Sequence, residues 1–241
     1  MNLLKFSRLP FLMMIALVSI GTFVGCSDDP EAPDGTDVSV PKEGSTYTYT
    51  EYDLDDQGNK IDTTEVEVVA TVEQTGLSVA GKTDVLEFSD EYEDGTIDTG
   101  YVAYESNGDM SMLLSFDDVE DIDPIWVTIP FGSKTAKSYA INETIPDGLG
   151  GMDSINLTIN TKYLREETAT IQGETMDVWV GEMEVTGSLP GIFGGTIEVN
   201  VTSEVYFVPE IGYVYKTDAT ESGFGTGSRT IRMLVSYSLA S

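Results

Sequence analysis

Thr46-Tyr47-Thr48-Tyr49-Thr50-Glu51-Tyr52 alternates polar and aromatic side chains with the period of two that marks a half-buried strand, and it is read here as a strand with its three tyrosines on one face. Asp53-Leu54-Asp55-Asp56-Gln57-Gly58-Asn59-Lys60 follows as a Gly/Asn hairpin loop, and the alternation resumes from Val66 to Val72. A second hairpin sets Val85-Leu86-Glu87-Phe88 against Thr99 to Tyr104 around Glu93-Asp94-Gly95. A third joins Val102-Ala103-Tyr104 to Met110-Ser111-Met112-Leu113 through Ser106-Asn107-Gly108-Asp109. Helix-period apolar stripes are nearly absent, so successive hairpins predict an antiparallel meander.

Beyond Asp123 the same pattern predicts strands at Ile125–Ile129, then, after a polar loop around Gly132 and Lys134, at 154–160, 167–171, 176–180, 182–187, 196–206, 213–217 and 229–239. About a dozen strands exceed what one flat sheet holds, so the fold is expected to be all-β, a meander curved into a half-barrel or split into a sandwich. The two halves, 38–123 and 124–241, carry parallel motifs. Gly81-Lys82-Thr83-Asp84-Val85-Leu86 matches Gly173-Glu174-Thr175-Met176-Asp177-Val178-Trp179 with one insertion, and Tyr104 before Gly108 matches Val208 before Gly212. Duplication of one meander and chance likeness among Thr/Val/Gly-rich hairpins both account for this.

The first 25 residues have a different character. Lys5 and Arg8 precede an uncharged apolar run from Leu9 to Val24, the layout of a secretory signal. The run is shorter than the roughly 20 apolar residues of a membrane-spanning helix and carries Pro10 near its start. It ends in Phe23-Val24-Gly25-Cys26, which resembles the lipobox of bacterial lipoproteins. That resemblance implies removal of residues 1–25 and lipidation of Cys26 by a diacylglyceryl thioether and a palmitate-type amide-linked acyl chain. At about 0.8 kcal/mol per buried methylene, two or three chains anchor stably. Ser27-Asp28-Asp29-Pro30-Glu31 opens an acidic, Pro-interrupted tether over 26–37 that resembles those of Bacteroidetes-type surface lipoproteins. The resemblance implies passage to the outer membrane or cell surface.

Composition narrows the chemistry. The chain has 12 Lys and Arg against 42 Asp and Glu, a formal net charge of −30, and losing Lys5 and Arg8 with the signal makes the mature chain −32. Nucleic acid is excluded as a partner, because its binding needs phosphate-neutralising cations. There is no histidine, which excludes a Ser-His-Asp triad and the usual zinc sites, and Cys26 is the lone cysteine, which leaves no disulfide framework in the mature domain. The expectation is a non-enzyme without a cofactor.

Three further segments carry expectations. Asp53-x-Asp55-x-Gln57-Gly58 has calcium-loop spacing, but Thr64 stands where such a loop needs a glutamate, so it is read as an acidic hairpin. Asp117, Asp118, Glu120, Asp121 and Asp123 are dense enough to collect Ca²⁺, although a solvated connector is the preferred reading. Tyr206-Phe207-Val208-Pro209-Glu210-Ile211-Gly212-Tyr213-Val214-Tyr215-Lys216 resembles the aromatic-Pro-x-x-Gly hairpin of outer-membrane lipoprotein carriers, whose fold is a twisted half-barrel. The likeness extends over the C-terminal third and concerns fold, not function. Two Gly-rich apolar loops, 146–151 and 190–195, fit the rim of a cavity.

The function expected is a membrane-anchored, non-catalytic module binding an apolar or amphipathic ligand, with Trp126, Trp179, Phe193 and Phe207 as its lining. The alternative is an interaction component of a surface complex, docking a protein or glycan through a sheet edge or the Tyr47–Tyr49 strand. Membrane lipid, held through acylated Cys26, is a partner in either case. Substituting Cys26→Ala is expected to leave the β-domain folded while releasing it from the membrane or stalling its processing. Fractionation with metabolic lipid labelling checks this, and a processed, lipid-bearing variant would contradict it.

Overall fold

A computed structural model describes residues 38–55, 57–114, 124–146, 152–190, 196–222 and 228–240. The strands are β1 (Thr46–Leu54), β2 (Val66–Val79), β3 (Lys82–Tyr92), β4 (Ile97–Tyr104), β5 (Met110–Leu114), β6 (Ile125–Ile129), β7 (Lys137–Pro146), β8 (Met152–Ile171), β9 (Glu174–Pro190), β10 (Thr196–Val208), β11 (Tyr213–Ser222) and β12 (Ser228–Ser238). A single 3₁₀ turn at Asp62–Thr64 is the helical content of the described residues.

All twelve strands belong to one antiparallel sheet, in the order β6-β5-β4-β3-β2-β1-β12-β11-β10-β9-β8-β7. Two six-stranded meanders therefore run outward from a central β1–β12 pairing, and β6 and β7 are left as edges. The motif pairs noted in the sequence fall at equivalent turns of the two meanders. Ala80-Gly81 between β2 and β3 and Gln172-Gly173 between β8 and β9 both hold two successive positive φ values, as a two-residue hairpin turn requires.

The sheet curls until its edges meet, giving a nearly closed barrel, the curved alternative anticipated from strand count. The edges are joined by side chains. Thr128 of β6 donates its backbone N–H to the Tyr139 hydroxyl at 2.9 Å and accepts the Thr161 hydroxyl on its carbonyl at 2.6 Å. Its own hydroxyl lies 2.8 Å from that of Ser111. Buried Asp109, in the β4–β5 turn, accepts the N–H groups of Gly132 and Ser133, the Ser133 hydroxyl and Lys137 Nζ at 2.8–3.1 Å. Burial works to raise the Asp109 pKa, but the bonds from Ser133 and Lys137 prevail and hold it below the ordinary carboxylate value. This tie stabilises the fold above that range and is lost as the pH falls through the folded pKa.

Several expectations need correction. Tyr52 is one residue out of phase with Tyr47 and Tyr49. Those two are buried at 0 % and 1 % exposure, whereas Tyr52 lies on the opposite face with Lys60 Nζ 4.9 Å from its ring centre. The segment after Lys134 forms β7, whose polar Lys137, Asn142 and Glu143 hid an edge strand. The pairs 154–160 with 167–171 and 176–180 with 182–187 are the single strands β8 and β9. β8 continues through a bulge at Tyr163/Arg165, and Gly181, which reads as a break, lies inside β9. A Cβ at Gly181 would stand 2.5 Å from Ile129 Cγ2, so its bare backbone is what lets β6 approach β9.

The side-chain closure generates a prediction. Tyr139→Phe and Thr161→Val each strand one Thr128 backbone group, and each should lower the unfolding free energy by about 1–2 kcal/mol in urea titrations. Unchanged midpoints in both variants would show that the edges are held by something else.

Candidate ligand-binding cavity

The segment singled out in the sequence, Tyr206–Lys216, forms the end of β10, a turn and the start of β11. Gly212 takes φ +66° and donates to the Val208 carbonyl at 2.9 Å, and a Cβ there would sit 1.8 Å from the Ser39 carbonyl oxygen. Glycine is therefore required on both conformational and steric grounds. Three tyrosine hydroxyls donate to this hairpin from the facing wall: Tyr47 to Ile211 O at 3.2 Å, Tyr104 to Gly212 O at 2.6 Å and Tyr49 to Val214 O at 2.6 Å. Between them sits Tyr213, stacked on Phe88 with ring centres 4.4 Å apart and tilted against Tyr47 at 4.5 Å. One end of the barrel interior is filled in this way.

Beside Tyr213 the interior is open. A cavity of about 190 Å³ lies between β3–β5 and β9–β12. Phe88, Met110, Met112, Leu114, Met183 and Val205 form its apolar wall, and Asp90, Asp98, Thr217 and Arg232 its polar one. The space exists because β4 offers no side chain at its middle: Gly100 pairs with Phe88, and nothing lies within 4 Å of where its Cβ would stand. Asp98, Gly100 and Val102, on the face of β4 that pairs with Phe88, are half-buried rather than buried, so the cavity reaches solvent along β4.

The polar wall is an ion cluster. Arg232 Nη1 donates to Asp90 Oδ2 at 2.6 Å, and the guanidinium lies 4.4 Å from the Tyr49 ring centre. Burial opposes its charge, but Asp90 prevails and the guanidinium stays firmly protonated. Glu51, level with Arg232 across the β1–β12 pair, is buried. Burial raises its pKa, and Arg232 offsets only part of that. Glu51 Oε2 and Asp90 Oδ1 are buried with no hydrogen-bond partner among the described residues. A pair of this sort is costly to assemble and costlier to break, about 3–5 kcal/mol when one partner is removed.

Residues expected to line a cavity are placed elsewhere. Trp179 and Phe207, ring centres 6.0 Å apart, pack with Phe131 in a buried aromatic cluster. Their neighbours Val178, Val180, Tyr206 and Val208 are buried on the opposite face, so β9 and β10 are covered on both sides. Trp126, Trp179 and Phe207 are not among the residues that line the cavity beside Tyr213. Trp126 bonds through Nε1 to the Val79 and Ala80 carbonyls at 3.3 and 3.2 Å, with Lys82 Nζ 5.6 Å from its ring centre. Phe193, Cys26, Asp117, Asp118, Glu120, Asp121 and Asp123 lie outside the described residues, as do the Gly-rich loops at 147–151 and 191–195.

The Tyr47–Tyr49 strand is equally unavailable for docking, because β1 is paired on both sides and both rings are interior. Asp55 spends its carboxylate on its own loop, accepting from the Gln57 and Asn59 backbone at 2.9 and 2.8 Å, as an acidic hairpin does. The residues missed were Gly100, Asp90 and Arg232. A charge inside the apolar run Ile231-Arg232-Met233-Leu234-Val235 was the available signal for the last.

No family model matches the chain, and no curated protein matches it. Among solved structures it is similar to a protein assigned as a lipoprotein from Parabacteroides distasonis, at 12 % identity and a TM-score of 0.48 over 82 % of this chain and 96 % of that one. The hypothetical lipoprotein YmcC from Escherichia coli is similar at 12 % identity, with a TM-score of 0.40 over 82 % and 86 %. A protein assigned as exported, with a YmcC-like fold, from Bacteroides fragilis is similar at 14 % identity, with a TM-score of 0.41 over 83 % and 98 %.

The buried tyrosines yield a pH prediction. Burial raises the pKa of Tyr47, Tyr49, Tyr104 and Tyr213 above the ordinary value of 10.0. Groups so shifted lend stability that is complete below the unfolded pKa and lost as the pH rises toward the folded one. Absorbance titration at alkaline pH should show these four of the 12 tyrosines ionising together with loss of β-structure. Their ionisation in a still folded protein would contradict the assignment.

Proposed function

We propose that this chain is an exported, lipid-anchored envelope protein whose barrel interior binds a small amphiphile without chemically altering it. The signal segment, Cys26 and the acidic tether support export and anchoring at the outer membrane or cell surface. The observation that carries the binding reading is the cavity beside Tyr213, with an apolar wall on one side and an ion cluster on the other. Ligand sites combine these features: mostly apolar lining for affinity, with a few fixed polar groups for orientation.

Size sets the ligand. An apolar cavity of about 150 Å³ accommodates benzene, so about 190 Å³ takes an alkyl chain of about six to eight carbons or a ring of similar bulk. Three methionines on the wall supply flexible, polarisable surface that adapts to a range of chain shapes. The lipid anchor keeps this opening near a bilayer, where amphiphiles concentrate. With no histidine in the chain and Asp90 held by Arg232, the wall groups suit orientation rather than turnover.

Gly100→Leu tests the reading, because it places a side chain in the empty position opposite Phe88. Filling the cavity and replacing a strand glycine should raise the unfolding free energy by about 1–2 kcal/mol. It should also weaken binding of hexanol, followed by ligand-observed NMR, by tenfold or more. A stabilised variant that binds hexanol as well as the natural chain would place the ligand elsewhere.

A further inference from the structure

We infer that the cavity selects amphiphiles by the charge of their head, taking a primary alkylammonium in preference to an alkyl carboxylate. This inference rests on the binding reading above and adds the ligand's chemical class to it. At the polar end Asp90 lies on the wall and Glu51 lies behind it, and among the described residues they face the guanidinium of Arg232. That guanidinium is already committed: an edge nitrogen binds Asp90 and its face covers the Tyr49 ring. It is therefore engaged on both edge and face before any anionic head arrives.

The carboxylates outnumber it, and two of their oxygens, Glu51 Oε2 and Asp90 Oδ1, lack donors among the described residues. An ammonium head brings three N–H donors and a positive charge. A carboxylate head brings neither, and adds a negative charge beside two carboxylates that, among the described residues, already share one guanidinium. In a buried setting such like-charge placement is penalised far more than at a surface. The net charge of the whole chain, −30, draws cations toward the opening by the same sign.

The test uses the full lipidated chain in phosphatidylcholine nanodiscs, with empty nanodiscs as the reference, and calorimetric titration of hexylammonium, hexanol and hexanoate. The three share a tail and differ in head. Hexylammonium should bind at least tenfold more tightly than hexanoate, with hexanol between them. If hexanoate binds as tightly as hexylammonium, the head assignment is overturned and the cavity reading stands, provided Gly100→Leu still removes hexanol. If Gly100→Leu removes none of the three, the cavity reading itself is overturned.

Discussion

The interior of this barrel depends on three tyrosine hydroxyls that hold a hairpin turned into the fold. The β10–β11 turn brings backbone carbonyls of Ile211, Gly212 and Val214 away from the ladder, and a buried carbonyl left unpaired costs about 1–3 kcal/mol. Tyr47, Tyr104 and Tyr49 satisfy them from β1 and β4, across the barrel. Each bond spans more than 100 residues of sequence, so the hairpin is fixed only once both meanders are in place. Tyr213 is then trapped between Phe88 and Tyr47, and the position of the cavity follows from where its ring stops.

The rest of the architecture allows that cavity to persist. In a barrel closed by backbone ladders the width of the interior is set by strand number and stagger. Here β6 and β7 meet through hydroxyl groups instead, and β4 places Gly100 where its neighbours would demand a side chain. An ion cluster lines the far wall, and its Arg232–Asp90 pair resists collapse because its polar atoms cannot simply be packed against methionines. Shape and polarity of the site therefore arise from the same features that relax ideal packing.

Much of this was legible in the sequence, for identifiable reasons. Period-two alternation at 46–52 and 66–72 located strands because one face of each is interior, and turn glycines such as Gly81, Gly173 and Gly212 adopt the positive φ that the hairpins demand. The Tyr206–Lys216 segment stood out, and it is the segment around which the interior is arranged. The errors have physical causes too. β7 escaped because an edge strand tolerates polar residues on both faces, and β8 and β9 were split where a bulge and a close approach to β6 put atypical residues inside continuous strands.

The binding residues were harder to see. Aromatic bulk pointed to Trp179 and Phe207, yet size alone does not distinguish a wall from a packed core, and in β9 and β10 both faces are buried. A void is made by what is missing, and the missing side chain at Gly100 has meaning only beside Phe88, twelve residues earlier in the neighbouring strand. The central claim is that an open, ligand-sized space with an apolar wall lies between Phe88, Met112, Met183 and Val205, and a crystal of the protein pressurised with xenon tests it most directly. The account predicts ordered xenon in that space with the surrounding side chains unmoved. A structure in which the methionines fill the space and no xenon binds there would contradict it.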